Sequence, residues 1–113
     1  MSYDLPQRPR RNRQSAAVRG LVRETHLTPS HLIYPLFVLD GESRREPIES
    51  MPGIDRVTED HALREIESAM ELGVSSFVLF PAVNDDLKDT KATYGLSRDN
   101  FYCRVARAIK KRF

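Results

Sequence analysis

His31-Leu-Ile-Tyr-Pro-Leu-Phe-Val38 decides the fold, together with its later counterpart Ser75-Ser-Phe-Val-Leu-Phe-Pro-Ala-Val83. Both are continuous apolar runs, not alternating ones, the pattern of strands buried on both faces in a parallel sheet covered by helices. Helical periodicity follows each of them. After the first, Thr58 stands where an N-cap belongs, with Glu59 and Asp60 in the first turn. Ala62, Leu63, Ile66, Ala69 and Met70 then recur on one face, and Gly73 closes the segment as a left-handed residue. After the second run, a helix starting near Ser97 or Asn100 carries Phe101, Val105, Ala106 and Ile109 on one face. The order strand, helix, strand, helix predicts an α/β fold with a parallel sheet and right-handed crossovers.

Working outward, Pro35 sits inside the first strand, where it removes a ladder donor. The strand is therefore expected either to begin late or to lack a neighbour on one side over its first half. Residues 40–57 read as a polar connection, in which Met51-Pro52-Gly53 has the order of a type II turn. Residues 15–26 predict a short amphipathic helix with Ala17, Val18, Leu21 and Val22 on one face. Residues 1–13, with two prolines and several arginines, read as an extended arm. The domain reading is thus 1–31, an N-terminal arm with a short helix, and 32–113, two βα units.

At 113 residues, 40% of them hydrophobic and 30% charged, the chain has the composition of a soluble globular domain. No run approaches the roughly 18 apolar residues of a membrane span. Arginines near the N-terminus have no apolar stretch behind them, so a secretory signal is not expected. One cysteine, Cys103, makes neither an internal disulfide nor a zinc site alone, and a cytoplasmic location is the default expectation. The net charge of +2 hides two basic ends, one of arginines before His31 and one from Arg104 to Arg112. Such clusters fit phosphate contact in a small basic nucleic-acid binder. Cations at a helix C-terminus also complement its dipole, which is the preferred reading for the second cluster, and no nucleic-acid partner is expected.

Several short pieces occur in one order: Arg8-Pro-Arg-Arg11, Leu21-Val-Arg-Glu-Thr25, Leu32-Ile-Tyr-Pro-Leu-Phe-Val38, Ser50-Met-Pro-Gly53 and Phe80-Pro81 with Lys88-Asp89. That ordered set resembles the amino-terminal third of the bacterial-type porphobilinogen synthase (5-aminolevulinate dehydratase) family. The resemblance implies the N-terminal portion of a (β/α)8 TIM barrel, strands one and two with helices one and two, behind an extended N-terminal arm. It implies condensation of two 5-aminolevulinate molecules to porphobilinogen with loss of two waters, in tetrapyrrole and haem biosynthesis, through lysine Schiff bases. It further implies zinc or magnesium in the full-length family and a homo-octamer formed through the arm. Arg8, Arg10, Arg11 and Arg13 would then lie at a subunit interface, where the planar guanidinium fork suits bidentate contacts.

A barrel of this type needs roughly 250 residues. The family's Schiff-base lysines and cysteine-rich metal segment lie on later strands, so no catalytic, cofactor-binding or metal residue is assigned here, and the chain alone is expected to be inactive. Lys88, Lys91, Lys110 and Lys111 are its only lysines, and they read as solvated. The loop after Lys88-Asp89 departs from the family pattern at Thr90-Lys-Ala-Thr-Tyr-Gly95. Asp85, Asp86 and Asp89 lack the central glycine and terminal glutamate of a calcium loop and read as solvated acids. His26, His31 and His61 have no metal-type spacing, and His61 reads as a surface residue. Tyr34 and Tyr94 have no evident partner. Phe37 and Phe80 read as packing residues at the strand ends, on the side where a barrel of this type keeps its catalytic face. The rival from another class is a non-enzymatic module that docks on full-length subunits through its arm.

Overall fold

The computed structural model describes residues 10–113. A 3-10 turn at Arg11–Arg13 precedes helix α1 (Ala16–Leu21), capped by Ser15, whose Oγ accepts the Val18 N–H at 3.2 Å. Neither element buries a side chain. The extended reading of the arm thus fails at Arg11–Arg13, and the helix is shorter than the expected 15–26. A second 3-10 turn, Pro29–His31, leads into β1 (Ile33–Val38).

The polar connection is not structureless. It holds a hairpin of β2 (Arg45–Pro47) and β3 (Asp55–Val57), antiparallel to each other. The Ile54 N–H donates to the Met51 carbonyl at 3.0 Å and Gly53 has φ +82°, so Pro52-Gly53 turn the chain in the way expected of type II. Helix α2 (Glu59–Glu71), strand β4 (Ser76–Pro81), two 3-10 turns at Asp85–Leu87 and Thr93–Leu96, and helix α3 (Phe101–Arg112) complete the chain. Among the described residues, no helix is long and apolar enough to cross a membrane.

The sheet order is β2-β3-β1-β4. β1 runs parallel to β4 along its whole length, from Ile33 opposite Ser76 to Val38 opposite Pro81. Against β3 it pairs, also in parallel, only at Phe37 and Val38. Pro35 therefore lies where β1 has a single neighbour, as its missing N–H requires. The sheet is mixed, not purely parallel, because β2 adds an antiparallel edge.

One face of the sheet packs on the helices. Leu36 and Val38 of β1, Val57 of β3, Ala62 and Ile66 of α2 and Phe101 and Val105 of α3 form the buried core. Burial of such aliphatic and aromatic side chains, at about 1.5–3 kcal/mol each, holds the two helices to the sheet. The other face is open. Ile33 and Phe80 are 65% and 47% exposed, so the two apolar runs bury only one side within this chain.

Helix α2 ends as its glycine predicts. Gly73 has φ +91°, the Val74 N–H reaches the Ala69 carbonyl and the Gly73 N–H reaches that of Met70, the paired bonds of a Schellman motif. Its N-terminus departs from expectation. Thr58 occupies the N-cap position but its side chain makes no capping bond. Met70, expected on the buried face, is 44% exposed.

Candidate functional site

The carboxyl ends of β1 and β4 frame a groove of about 580 Å³. Its floor is the Phe37–Phe80 pair, stacked with ring centroids 5.4 Å apart and planes 24° from parallel. These rings lie on the open face and pack on each other, not in the helix-covered core. Asp40 and Arg44 from the chain after β1, Glu46 from β2 and Arg56 from β3 contribute charge, and Asn84 and Lys88 close the side beyond β4. Strand alternation explains who faces the groove. Arg56 is in register with Phe37, so it shares that face, and Glu46 is in register with Arg56. Their neighbours Arg45 and Asp55 face the other way, where Arg45 bonds Asp55 at 3.2 Å and Glu65 of α2 at 2.6 Å.

Most charges of the groove are engaged. Arg44 is paired with Glu46, Asp40 with Arg104 of α3, and Lys88 with Asp85 at 2.7 Å. The lysine holds the Asp85 carboxyl below its usual range. Arg56, half-buried, has no carboxylate within ion-pairing distance among the described residues.

Beside the groove, the loop after β1 is fastened to α2 by Thr58 and Asp60. The Thr58 hydroxyl, fully buried, donates to Asp60 Oδ1 at 2.6 Å and accepts the Arg44 N–H at 3.1 Å. Asp60 Oδ1 also accepts the Ser43 N–H at 3.1 Å. The Thr58 hydrogen bond first, and the Ser43 N–H next, lower the Asp60 carboxyl to about 2 against the opposing effect of desolvation. His61, expected at the surface, is half-buried with Nε2 3.7 Å from Asp60 Oδ2.

The loop acids serve their own loop. Asp89 accepts the Lys91 and Thr93 N–H groups at 2.9 and 3.0 Å, which keeps its carboxyl low. Tyr94, without an evident partner in the sequence, has one in space: its hydroxyl accepts the Phe101 N–H at 3.3 Å. Its carbonyl accepts Asn100 Nδ2 at 3.3 Å, while Asn100 Oδ1 caps α3 through the Tyr102 N–H at 2.9 Å. Tyr34 meets Phe77 edge to face at 6.3 Å. Cys103 is free and half-buried on α3, and all four lysines are exposed.

Of the arm arginines, Arg8 lies outside the described residues. Arg10, Arg11 and Arg13 are exposed, and none pairs with a carboxylate among the described residues. The basic end of α3 is partly neutralised, since Arg112 bonds Glu67 at 3.0 Å and Arg104 reaches Asp40 and Glu59. Arg56 and the Thr58 hydroxyl escaped the sequence reading. Both hang on the β2–β3 hairpin, whose only signal is a pair of three-residue segments flanking a Pro-Gly turn.

The geometry defines an α/β protein with a charged groove at the carboxyl ends of parallel strands, the usual place of ligand sites in this class. Residues 6–113 match the family model described as delta-aminolevulinic acid dehydratase. The chain belongs to that family. It is 46% identical over 112 residues to the delta-aminolevulinic acid dehydratase of Bradyrhizobium diazoefficiens, covering 99% of this chain and 32% of the relative. Against the Chlamydia pneumoniae enzyme of the same name it is 44% identical, covering 99% of this chain and 34% of the relative. A crystal structure of the Toxoplasma gondii delta-aminolevulinic acid dehydratase (porphobilinogen synthase), in complex with the reaction product porphobilinogen, superposes with a TM-score of 0.87 at 44% identity. That match covers 97% of this chain and 31% of the other. The chain thus spans about a third of the length of the relatives it matches.

Proposed function

We propose that a full-length protein carrying this chain is a porphobilinogen synthase, a cytoplasmic lyase that condenses two 5-aminolevulinate molecules into porphobilinogen with loss of two waters. The observation that carries this reading is the match to the Toxoplasma gondii enzyme, in fold and sequence together, over 97% of this chain. In this reading β1 and β4 are the first two strands of an eight-stranded barrel, α2 and α3 its first two outer helices, and the open apolar face its interior. The groove over Phe37 and Phe80 is then part of the barrel mouth, where such enzymes keep their chemistry.

The residues present supply a wall of that mouth and not its reacting groups. The four lysines of this chain are exposed, and Lys88 is held by Asp85. Among the described residues, no group of three His, Cys, Asp or Glu side chains comes together. The stacked rings shape the floor, and the Thr58–Asp60 contacts fix the loop that carries Asp40 and Arg44. Arg10, Arg11 and Arg13, exposed at the arm, are the side chains that would meet a second subunit in a homo-octamer.

The test is formation of a pyrrole from 5-aminolevulinate by the purified full-length protein, followed colorimetrically. Turnover by the full-length protein and none by the 113-residue chain is the expected result. A full-length protein that folds and assembles, yet makes no pyrrole under any metal supplied, overturns the reading.

A further inference from the structure

We propose that Asp60 is a positioning residue for the reaction, acting on the groove through the backbone of Ser43. The inference rests on the functional reading above and adds a residue to it. The loop between β1 and β2 turns through two left-handed residues, Gly41 at φ +112° and Ser43 at φ +51°. Glycine takes that conformation freely, whereas serine, with its Cβ, disfavours it. The turn at Ser43 is held from the start of α2. Asp60 Oδ1 accepts the Ser43 N–H at 3.1 Å and the Thr58 hydroxyl at 2.6 Å, and that hydroxyl accepts the Arg44 N–H at 3.1 Å. The Thr58 N–H in turn donates to the Arg44 carbonyl at 3.2 Å.

The two ends of this loop belong to the groove and Asp60 does not. Asp40 and Arg44 line it, paired with Arg104 and Glu46, while Asp60 lines a separate cleft with Gly41, Glu42 and Ser43. Asp60 thus acts on the groove at one remove, by setting the share of molecules whose loop stands in this arrangement. A carboxylate that accepts a backbone N–H makes a charge-assisted hydrogen bond, among the stronger kinds. Without it Ser43 is free to return to extended backbone, taking Arg44 with it. Part of the binding free energy of a substrate then goes into restoring the loop, so its apparent affinity falls with the ordered fraction. Once the substrate is bound the loop stands as before, and the chemical step keeps its rate.

Steady-state kinetics of pyrrole formation by the full-length protein, in the wild type, Asp60→Ala, Asp60→Asn and Ser43→Val, test this. Loss of one charge-assisted hydrogen bond in Asp60→Ala should raise KM for 5-aminolevulinate about five- to twentyfold and leave kcat within about twofold. Asp60→Asn, which keeps an uncharged acceptor, should fall between. Ser43→Val leaves Asp60 intact but puts a β-branched residue where the backbone is left-handed, so it should raise KM in the same way. Ser43→Gly added to Asp60→Ala should bring KM back towards the wild-type value, because glycine takes the turn unaided. A residue that only supports the fold would lower the active fraction, and hence kcat, with KM unmoved. That result, a KM unchanged in Asp60→Ala or Ser43→Val, or no recovery with glycine overturns the assignment in an enzyme that makes pyrrole. Should Asp60→Ala not fold, Asp60→Asn and Ser43→Val decide on the same terms. A wild type without pyrrole formation overturns the functional reading, and the assignment with it, and is told apart by that.

Discussion

At the scale of single residues, Thr58 shows how one hydroxyl can outrank the role its position announces. Its place before Glu59 is that of a helix cap, yet the oxygen points back to the loop and joins Arg44, Asp60 and, through Asp60, Ser43. Replacing it by valine keeps the shape, leaves the Arg44 N–H without its acceptor and leaves Asp60 Oδ1 with the Ser43 N–H alone. Thr58→Val should cost about 1–3 kcal/mol, read from urea unfolding of dilute chain by circular dichroism. Asp60 gives the pH counterpart. Its carboxyl is lowered in the fold to about 2, from an ordinary 3.8. The stability it contributes is therefore complete above about pH 4 and is lost as pH falls towards 2. Asp60→Asn should flatten the acid limb of the unfolding curve over that window and leave the neutral region's slope unchanged.

At the scale of elements, the long pieces were legible and the short ones were not. β1 and β4 are marked by continuous apolar runs and α2 and α3 by a helical period, and Leu36, Val38, Ile66 and Val105 from these stretches lie in the core. Strands β2 and β3 have three residues each, too few for alternation to register, and so the hairpin read as a loop. With it went Arg56, whose orientation depends on being in a strand at all. The arm arginines were singled out by composition, but composition does not say what they touch. Glycine gave the sharpest local signal. Gly73 at φ +91° ends α2, and a Cβ placed there would stand 3.3 Å from Cβ of Pro29. Gly73→Ala should therefore destabilise the chain by about 1–2 kcal/mol through αL strain and the crowding of Pro29, seen as a lower unfolding midpoint with an unchanged m-value.

At the scale of the whole molecule, the apolar runs implied two buried faces and the chain buries one. Ile33, Val78 and Phe80 stay exposed on the other, and β4 has a neighbour on only one side. An unpaired edge beside an apolar face recruits further strands. The isolated chain should associate as its concentration rises, measured by light scattering, and Val78→Lys on the open face should suppress this with little change in the unfolding of dilute chain. The hairpin also bears on the order of events at the ribosome. β1 leaves the exit tunnel ahead of β4, with which it pairs along its whole length. The β2–β3 turn needs only the sequence up to Val57 and lays β3 along Phe37 and Val38. The far end of β1 can thus be sheathed on one side by chain that precedes β4, while its near end, unpaired on that side, includes Pro35.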